Sequence, residues 1–444
     1  MGLAGTLALL AATVAVLFAV ALAVDGERHA PAVAGMDEAR DPAPAAALDS
    51  DELLKLSLER APVVARRVAE IRGVEFDRVL EPQVTDVEAL RELAGKEISK
   101  PKVAEALAAG DAELKLLGLL EPDASLADVT TEVTADAAAF YDPEKQELFL
   151  LGNAVPAGPA LTEFVLAHEL GHALEDQAFG LPMSSASNDD RALAESALVE
   201  GSATALMTEY AAEHLSAADL LSEASTIGGD TGDLPPFALA QVTFSYFSGQ
   251  RFVDELRQTA GGSWDLVDFA YDARLPASTE QILHPEKYLD DEKPLPVAGP
   301  PEAGSGWEET DAGAVGEFVT REILRQDADD VGADSAAAGW GGDHYRLFRR
   351  TNASVGCADD CREDHALAIA WRGDDAAEAI ELRTALEDFV ERSLGGDAVA
   401  GSGGFELDGG WAAVAGEGDV ATLALAPDEA LAARLARPLT EVAE

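Results

Sequence analysis

Two histidines four positions apart frame an acidic residue in the segment His168–His172, which reads HELGH. On a helix, positions i and i+4 leave the same face one turn apart, so both imidazoles could bind one Zn²⁺. Glu169 could then reach a water molecule at the open coordination position of that ion. The alternative interpretation is a buried amphipathic helix that carries two core histidines.

The flanking residues predict the helix that this chemistry needs. Apolar residues recur at helical intervals through Ala160–Gly180, and Gly180-Leu181-Pro182 is typical of a helix end. A second helix is predicted over the Ala-rich segment Arg191–Leu215. The separation leaves room for one loop and a return helix packed against the first.

The second helix offers two candidates for a third metal ligand, Glu195 and Glu200. Glu200 is favoured because Gly201-Ser202-Ala203 follows it, and such small residues let helix backbones approach closely. Two histidines, one glutamate and an open fourth position form a catalytic zinc site, whereas structural zinc sites are closed by four protein ligands. Thr204, one turn after Glu200, could orient a histidine by a hydrogen bond.

With these residues the chain resembles the gluzincin metallopeptidases, the thermolysin-like branch of HExxH enzymes. More narrowly, it is similar to a largely uncharacterised family of secreted prokaryotic HExxH proteins. The segments that carry this resemblance are HELGHALEDQAFGL (168–181), ALVEGSATALM (197–207), STEQILHPEKYL (278–289) and GWGGDHYRLF (339–348). The resemblance implies one catalytic Zn²⁺, metal ligands at His168, His172 and Glu200, and a general base at Glu169. Thermolysin-like enzymes have an Asp where this chain has Thr204, so the resemblance does not extend to that position.

A zinc peptidase also needs a hydrogen-bond donor near the developing oxyanion, commonly a His or a Tyr. The polar stretch Leu275–Leu289 offers His284 and Tyr288 as candidates. The alternative is that Thr279-Glu280-Gln281 caps a helix and His284 satisfies a backbone group. The segment Phe244–Tyr271 predicts two helices broken at Gly261-Gly262, and we interpret its aromatic residues as core.

The ends of the chain predict export and a separate C-terminal region. Residues 1–24 are read as a membrane anchor or secretory signal, because Gly2–Val24 contains no charged residue, and residues 25–50 as a disordered acidic, Pro/Ala-rich linker. Either form of the first segment places the remainder outside the cytoplasm, secreted or anchored at the extracellular face of the membrane. A helical zincin-like domain is predicted over 51–348 and a small α/β region over 349–444.

These elements predict an α+β fold that is mostly helical. The segment Gln146–Leu151 is a strand candidate before the first zinc helix, and resembles the substrate-binding edge strand of gluzincins; an ordinary sheet edge is the alternative. The glycines of Gly339–Tyr345 predict a tight turn. Cys357 and Cys361 are the only cysteines, and an exported protein favours a local disulfide between them.

The charge of the chain indicates its environment. With 83 acidic and 31 basic residues the net charge is −52, spread along the sequence. Such self-repulsion destabilises a compact state at low ionic strength and is screened at molar salt, which favours a halophilic organism. No basic patch exists to meet phosphates, which disfavours nucleic-acid binding.

The sequence therefore predicts an exported zinc peptidase that acts on peptide or protein substrates. The alternative is a catalytically silent zinc-binding surface module that serves in binding or assembly. Retention of Glu169 disfavours the module, because a binding site needs the metal ligands but has no use for a base.

Overall fold

The computed structural model describes residues 50–135, 139–151, 158–182, 188–224, 234–328, 330–357 and 359–439. The anchor or signal predicted at residues 1–24 lies outside these ranges. So does the linker predicted at residues 25–50, except for residue 50. Among the residues described, no helix is both long enough and apolar enough to cross a membrane. The fold is α+β, as predicted.

The first part of the chain is mainly helical and includes one small sheet. Its elements are α1 (Ser50–Arg72), β1 (Gln83–Thr85), α2 (Val87–Ile98), α3 (Pro101–Leu116), α4 (Leu126–Ala135), β2 (Ala139–Asp142), β3 (Glu147–Leu151), α5 (Pro159–Phe179), α6 (Asp189–His214), α7 (Ala217–Ala224), α8 (Pro236–Thr243), a π-helical segment (Phe244–Ser248), α9 (Gly249–Thr259), α10 (Asp265–Asp272), α11 (Thr279–Leu283) and α12 (Pro285–Leu289).

The second part is organised around a larger sheet. Its elements are β4 (Trp307–Gly313), α13 (Gly316–Arg325), α14 (Asp330–Ala338), β5 (Trp340–Arg350), β6 (His365–Gly373), α15 (Ala376–Arg392), β7 (Asp397–Val399), β8 (Gly404–Leu407), β9 (Gly410–Glu417), β10 (Val420–Ala426) and α16 (Glu429–Leu435).

The small sheet lies beside α5 and corrects the edge-strand interpretation. Its strand order is β1-β3-β2, with β1 parallel and β2 antiparallel to β3. The predicted strand, β3, is therefore the central one. On one side Phe149, Leu150 and Leu151 pair with β1, and on the other side Phe149 and Leu150 pair with β2. The strands at the two edges are β1 and β2.

The larger sheet has the order β4-β5-β6-β10-β9-β8-β7, and all its pairs are antiparallel. Helix α15 packs on β6, β9 and β10, and α16 packs on β8, β9 and β10. The central strands β6 and β10 are buried along almost their whole length. Burial on both faces explains why they read as continuous apolar runs, such as ALAIAW, instead of alternating.

This sheet crosses the domain boundary predicted at residues 348 and 349. The boundary falls inside β5, whose residues 342–349 pair with β6. The sheet unit instead begins near Trp307.

The tight turn predicted at Gly339–Tyr345 is replaced by the start of β5. A Cβ on Gly342 would lie 2.3 Å from the carbonyl oxygen of Leu295, so this glycine permits close approach of a neighbouring segment.

One continuous hydrophobic core joins the helical part to the sheet unit. It includes Leu170 of α5, Leu198 of α6, Phe318 of α13 and Leu423 of β10. Phe318 packs against Phe244 with ring centroids 4.6 Å apart. The helices that carry the candidate ligands are therefore fixed from both sides by packed apolar residues.

Candidate metal centre

Helices α5 and α6 bring His168, His172 and Glu200 together. Helix α5 begins with Pro159 at its first position, ends at Gly180 with φ of 75°, and places both histidines on the face toward α6. The side chain of Asn188 caps α6 by accepting a hydrogen bond from the Arg191 N–H. Glu200 lies near the middle of α6, where the two helices pack together.

The three candidate ligand atoms converge on one point. The Nε2 atoms of His168 and His172 are 3.0 Å apart, and they lie 3.3 and 3.4 Å from Oε2 of Glu200. A tetrahedral Zn²⁺ with bonds of about 2.0–2.1 Å sets its ligand atoms about 3.3–3.4 Å apart, close to these separations. Oε2 of Glu200 is buried and accepts no hydrogen bond of regular geometry. A polar atom left in this state fits a ligand to a cation, so the donor set fits zinc.

Glu195, the rival ligand, lies outside this cluster. Its carboxylate accepts a hydrogen bond from Nε of Arg191 at 2.8 Å. Since Glu195 and Glu200 are five positions apart, they leave the helix in different directions.

Glu169 adjoins the cluster and belongs to the same buried environment. Its side chain is 1% exposed. Burial raises the pKa of its carboxyl group, while the two histidines and a hydrogen bond from the backbone N–H of Tyr141 oppose that rise. Tyr141 lies in β2, so this edge strand of the small sheet is next to Glu169.

The electrostatics of the ligands follow from their mutual contact. Burial lowers the pKa of His172, but the negative charge of Glu200 raises it, and the resulting pKa is about 9. Burial raises the pKa of Glu200, but the two histidines lower it, and the resulting pKa is about 2. The two groups therefore form a buried ion pair in the absence of a metal.

A second buried network lies one turn further along α5, around Glu175. Its carboxylate accepts hydrogen bonds from Nε of Arg72 at 2.8 Å, from the Ser202 hydroxyl and from the Tyr271 hydroxyl. Arg72 also contacts Asp268 at 2.6 Å. This network ties α1, α5, α6 and α10 together beside the candidate ligands.

Thr204 does not take the orienting role predicted for it. Its side chain is fully buried, but its hydroxyl makes no hydrogen bond, and neither does Nδ1 of His168 or His172. The histidine rings are instead positioned by packing. His168 stacks on Tyr246 with ring centroids 5.6 Å apart and an interplanar angle of 13°.

The two oxyanion candidates make hydrogen bonds with groups outside this cluster. Nε2 of His284 lies 3.0 Å from Oε1 of Glu317, and the Tyr288 hydroxyl donates to the carbonyl oxygen of Arg274 at 2.8 Å. The Glu317 carboxylate raises the pKa of His284, against its partial burial. The first contact ties Leu275–Leu289 to α13, and the second ties it to the residues that follow α10.

Sequence reasoning missed Tyr246. This residue is 1% exposed and lies in the π-helical segment between α8 and α9. Burial and the charges of Glu200 and Glu169 raise the pKa of its phenol. In the sequence it stands in FSYFS between two phenylalanines, so no local pattern distinguishes it.

Two other groups of potential ligands lie elsewhere in the described residues. Glu280, Glu292 and Asp374 surround Nζ of Lys287, which already supplies the cation. Cys357 and Cys361 lie near His365, and the two cysteines are disulfide-bonded with Cα atoms 5.5 Å apart.

The family comparison covers the sheet unit. Residues 305–436 match a family model described as a domain of unknown function, DUF8575. This match coincides with the elements β4 to α16 and does not include His168, His172 or Glu200. No curated protein matches the chain.

One solved structure from Chloroflexus aurantiacus, described as a "putative hydrolase with a novel fold", is similar to this one. The TM-score is 0.39 at 15% sequence identity, over 62% of this chain and 96% of that chain. Similarity at this level establishes neither a shared fold nor a shared activity. The resemblance to gluzincins is not tested by these comparisons and stays a prediction.

Proposed function

We propose that this protein is a zinc-dependent peptidase that hydrolyses peptide bonds with Glu169 as general base. The observation that carries the proposal is the convergence of three donor atoms within 3.4 Å of one another, next to a buried carboxylate. When bound there, zinc would polarise the scissile carbonyl group and lower the pKa of a water molecule.

The residues of this chain would divide the work as follows. His168, His172 and Glu200 would hold the ion, and their rigid helices would keep its position constant. A carboxylate oxygen of Glu169 would take a proton from the attacking water and pass it to the nitrogen of the leaving amine. Burial raises the pKa of Glu169 and therefore helps it to hold the proton between these two transfers.

The edge strand β2 supports a peptide as the substrate. An extended peptide can add to a free sheet edge through main-chain hydrogen bonds. The edge of β2 that is not paired with β3 adjoins Glu169 through the Tyr141 N–H. A peptide paired with β2 would therefore pass beside the general base.

The test compares the wild-type protein with Glu169→Gln in high salt, measuring zinc content and cleavage of casein or a peptide library. The proposal expects about one zinc in both proteins, and cleavage by the wild type alone. Glu200→Gln should lose the metal, while the matched control Glu195→Gln in the same helix should keep it. Zinc retention by Glu200→Gln would contradict the ligand assignment.

A second candidate function is a zinc-binding module without catalysis, acting in binding or assembly. Burial of the ligands favours it: His168 is 1%, Glu200 4% and His172 7% exposed. Zinc in both the wild type and Glu169→Gln, with cleavage by neither, would support this module over the peptidase.

A further inference from the structure

The hydroxyl of Tyr246 differs from that of every other tyrosine in the chain. The sequence has six tyrosines, and all six lie in described residues. Five of them donate a hydrogen bond to an acceptor, namely Tyr141 to Asp176, Tyr210 to Glu163, Tyr271 to Glu175, Tyr288 to the Arg274 carbonyl and Tyr345 to Asp311. The hydroxyl of Tyr246 is buried and makes no hydrogen bond of regular geometry, although the Glu200 carboxylate lies within reach of it.

A buried hydroxyl without a well-formed hydrogen bond costs free energy in the folded protein, because it loses its hydrogen bonds to water. Buried polar groups of this kind are exceptions in native proteins and require an explanation. The position of Tyr246 supplies one. Its ring stacks on His168, and the carboxylates of Glu200 and Glu169 are near enough to interact with its hydroxyl electrostatically.

The local backbone is arranged to bring this ring to the ligands. Tyr246 lies in a π-helical turn, an arrangement that is uncommon and is found often at functional sites. The turn is followed by Gly249, which packs directly on Gly201 of α6. Neither glycine has a side chain, so the π segment can approach α6 closely. Tyr246 therefore lies beside Glu200, the residue that precedes Gly201.

The structure leaves the role of oxyanion donor open for this residue. His284 and Tyr288 are engaged with Glu317 and with the Arg274 carbonyl. A donor to a developing oxyanion must instead lie beside the metal and the general base. Tyr246 meets this condition, because its ring stacks on His168 and its hydroxyl interacts with the carboxylates of Glu200 and Glu169.

We propose that Tyr246 is a further catalytic residue, whose hydroxyl donates a hydrogen bond to the carbonyl oxygen of the scissile peptide bond as that carbon becomes tetrahedral. The proposal rests on the proposed peptidase function. Tyr246 keeps its proton throughout, so the proton balance of the reaction is still carried by Glu169 and water.

The first test is Tyr246→Phe in the zinc-loaded protein, with Tyr271→Phe as a control that removes another buried hydroxyl. Tyr246→Phe should lower kcat by about 10²–10³-fold with little change in KM, as expected for a lost oxyanion donor. Zinc affinity should stay near the wild-type value. A kcat unchanged from wild type would overturn the proposal.

A second readout separates this inference from the proposed function. Acetohydroxamate binding is followed by the visible spectrum of the Co²⁺-loaded protein, which requires no cleavage. Tyr246→Phe should weaken binding about tenfold or more, the loss of one hydrogen bond at 1.4 kcal/mol per factor of ten. If acetohydroxamate affinity falls while no peptide is cleaved even by the wild type, the peptidase function fails and the donor role of Tyr246 stands.

Unchanged acetohydroxamate affinity overturns the inference, whether or not the protein cleaves peptides. A fall in zinc affinity with an unchanged kcat per bound zinc also overturns the inference. In that case the hydroxyl positions Glu200 and does not touch the substrate.

Discussion

Gly201 of α6 and Gly249 of α9 lie backbone against backbone. A Cβ on Gly201 would be 2.1 Å from the carbonyl carbon of Gly249, and a Cβ on Gly249 would be 2.0 Å from the carbonyl oxygen of Ala197. Neither glycine has a positive φ, so the requirement is for space and not for an unusual backbone angle. This contact places the π-helical segment beside Glu200.

Gly201→Ala should therefore force the two helices apart. We expect a loss of at least about 1–3 kcal/mol in the free energy of unfolding, together with weaker zinc binding because Glu200 is the adjacent residue. Denaturant unfolding and zinc titration measure the two effects. The matched control is Gly95→Ala in α2, where no atom lies within 4 Å of the new Cβ, and it should stabilise by about 0.5–1 kcal/mol. Equal stability of the two variants would contradict the close approach.

The Arg72–Glu175 ion pair gives a second prediction. Both side chains are fully buried, and Glu175 also accepts hydrogen bonds from Ser202 and Tyr271. Glu175→Ala should destabilise the protein by about 3–5 kcal/mol, since it leaves the Arg72 charge buried with only the partly exposed Asp268 as partner.

The control for this variant is Glu92→Ala, which removes an exposed ion pair with Lys96. Exposed pairs contribute little, so its unfolding midpoint should stay near the wild-type value. A Glu175→Ala variant as stable as Glu92→Ala would show that the buried network contributes nothing to stability.

Asp190 predicts a pH dependence of stability. Its Oδ1 accepts hydrogen bonds from the N–H of Thr279 at 2.9 Å and from the Thr279 hydroxyl at 2.5 Å, and burial raises its pKa from 3.8 to about 8. The folded protein holds this proton more tightly than the unfolded chain does. The contribution of Asp190 to the free energy of unfolding is therefore fully present below pH 3.8 and is lost as the pH rises toward 8. Asp343, with a pKa raised by burial to about 6, acts in the same direction.

Asp190→Asn keeps an oxygen acceptor for Thr279 but cannot ionise. Its free energy of unfolding should fall less steeply than that of the wild type between these pH values. The measurement is denaturant unfolding across the pH range at constant salt. Glu88→Gln, which changes a side chain that is 89% exposed, should keep the wild-type slope. Parallel curves for Asp190→Asn and the wild type would contradict the prediction.

His284 and Tyr288 provide the fourth prediction. From their contacts with Glu317 and the Arg274 carbonyl we expect both residues to stabilise the fold. His284→Gln and Tyr288→Phe should lower stability while leaving kcat per folded molecule within about threefold of the wild-type value. A loss of about 10²-fold or more at either position would return that residue to the active site.

The different outcomes for Glu200 and for Tyr246 show how far the sequence alone reaches. His168 and His172 are four positions apart on one helix, so local periodicity is enough to place them on the same face. Glu200 could be chosen over Glu195 because small residues follow it, and Gly201 does permit a close helix contact. Tyr246 depends on a π turn and on packing between segments distant in sequence. No local pattern encodes either feature.

The strands show the same division. The apolar residues in Gln146–Leu151 predict a strand, but its central place in the sheet depends on β1, which is about 60 residues earlier in the chain. The glycines near residue 340 suggested a turn because sequence cannot distinguish a glycine that needs a special φ from one that allows a neighbour to approach. The contact with Leu295 decides in favour of the second.

X-ray absorption spectroscopy of the zinc-loaded protein identifies the metal ligands without relying on activity. We expect one zinc per chain with nitrogen and oxygen ligands at about 2.0–2.2 Å, and loss of that metal in Glu200→Gln but not in Glu195→Gln. A sulfur shell at about 2.3 Å would instead place the metal on the reduced thiols of Cys357 and Cys361, near His365, and would overturn the assignment to His168, His172 and Glu200.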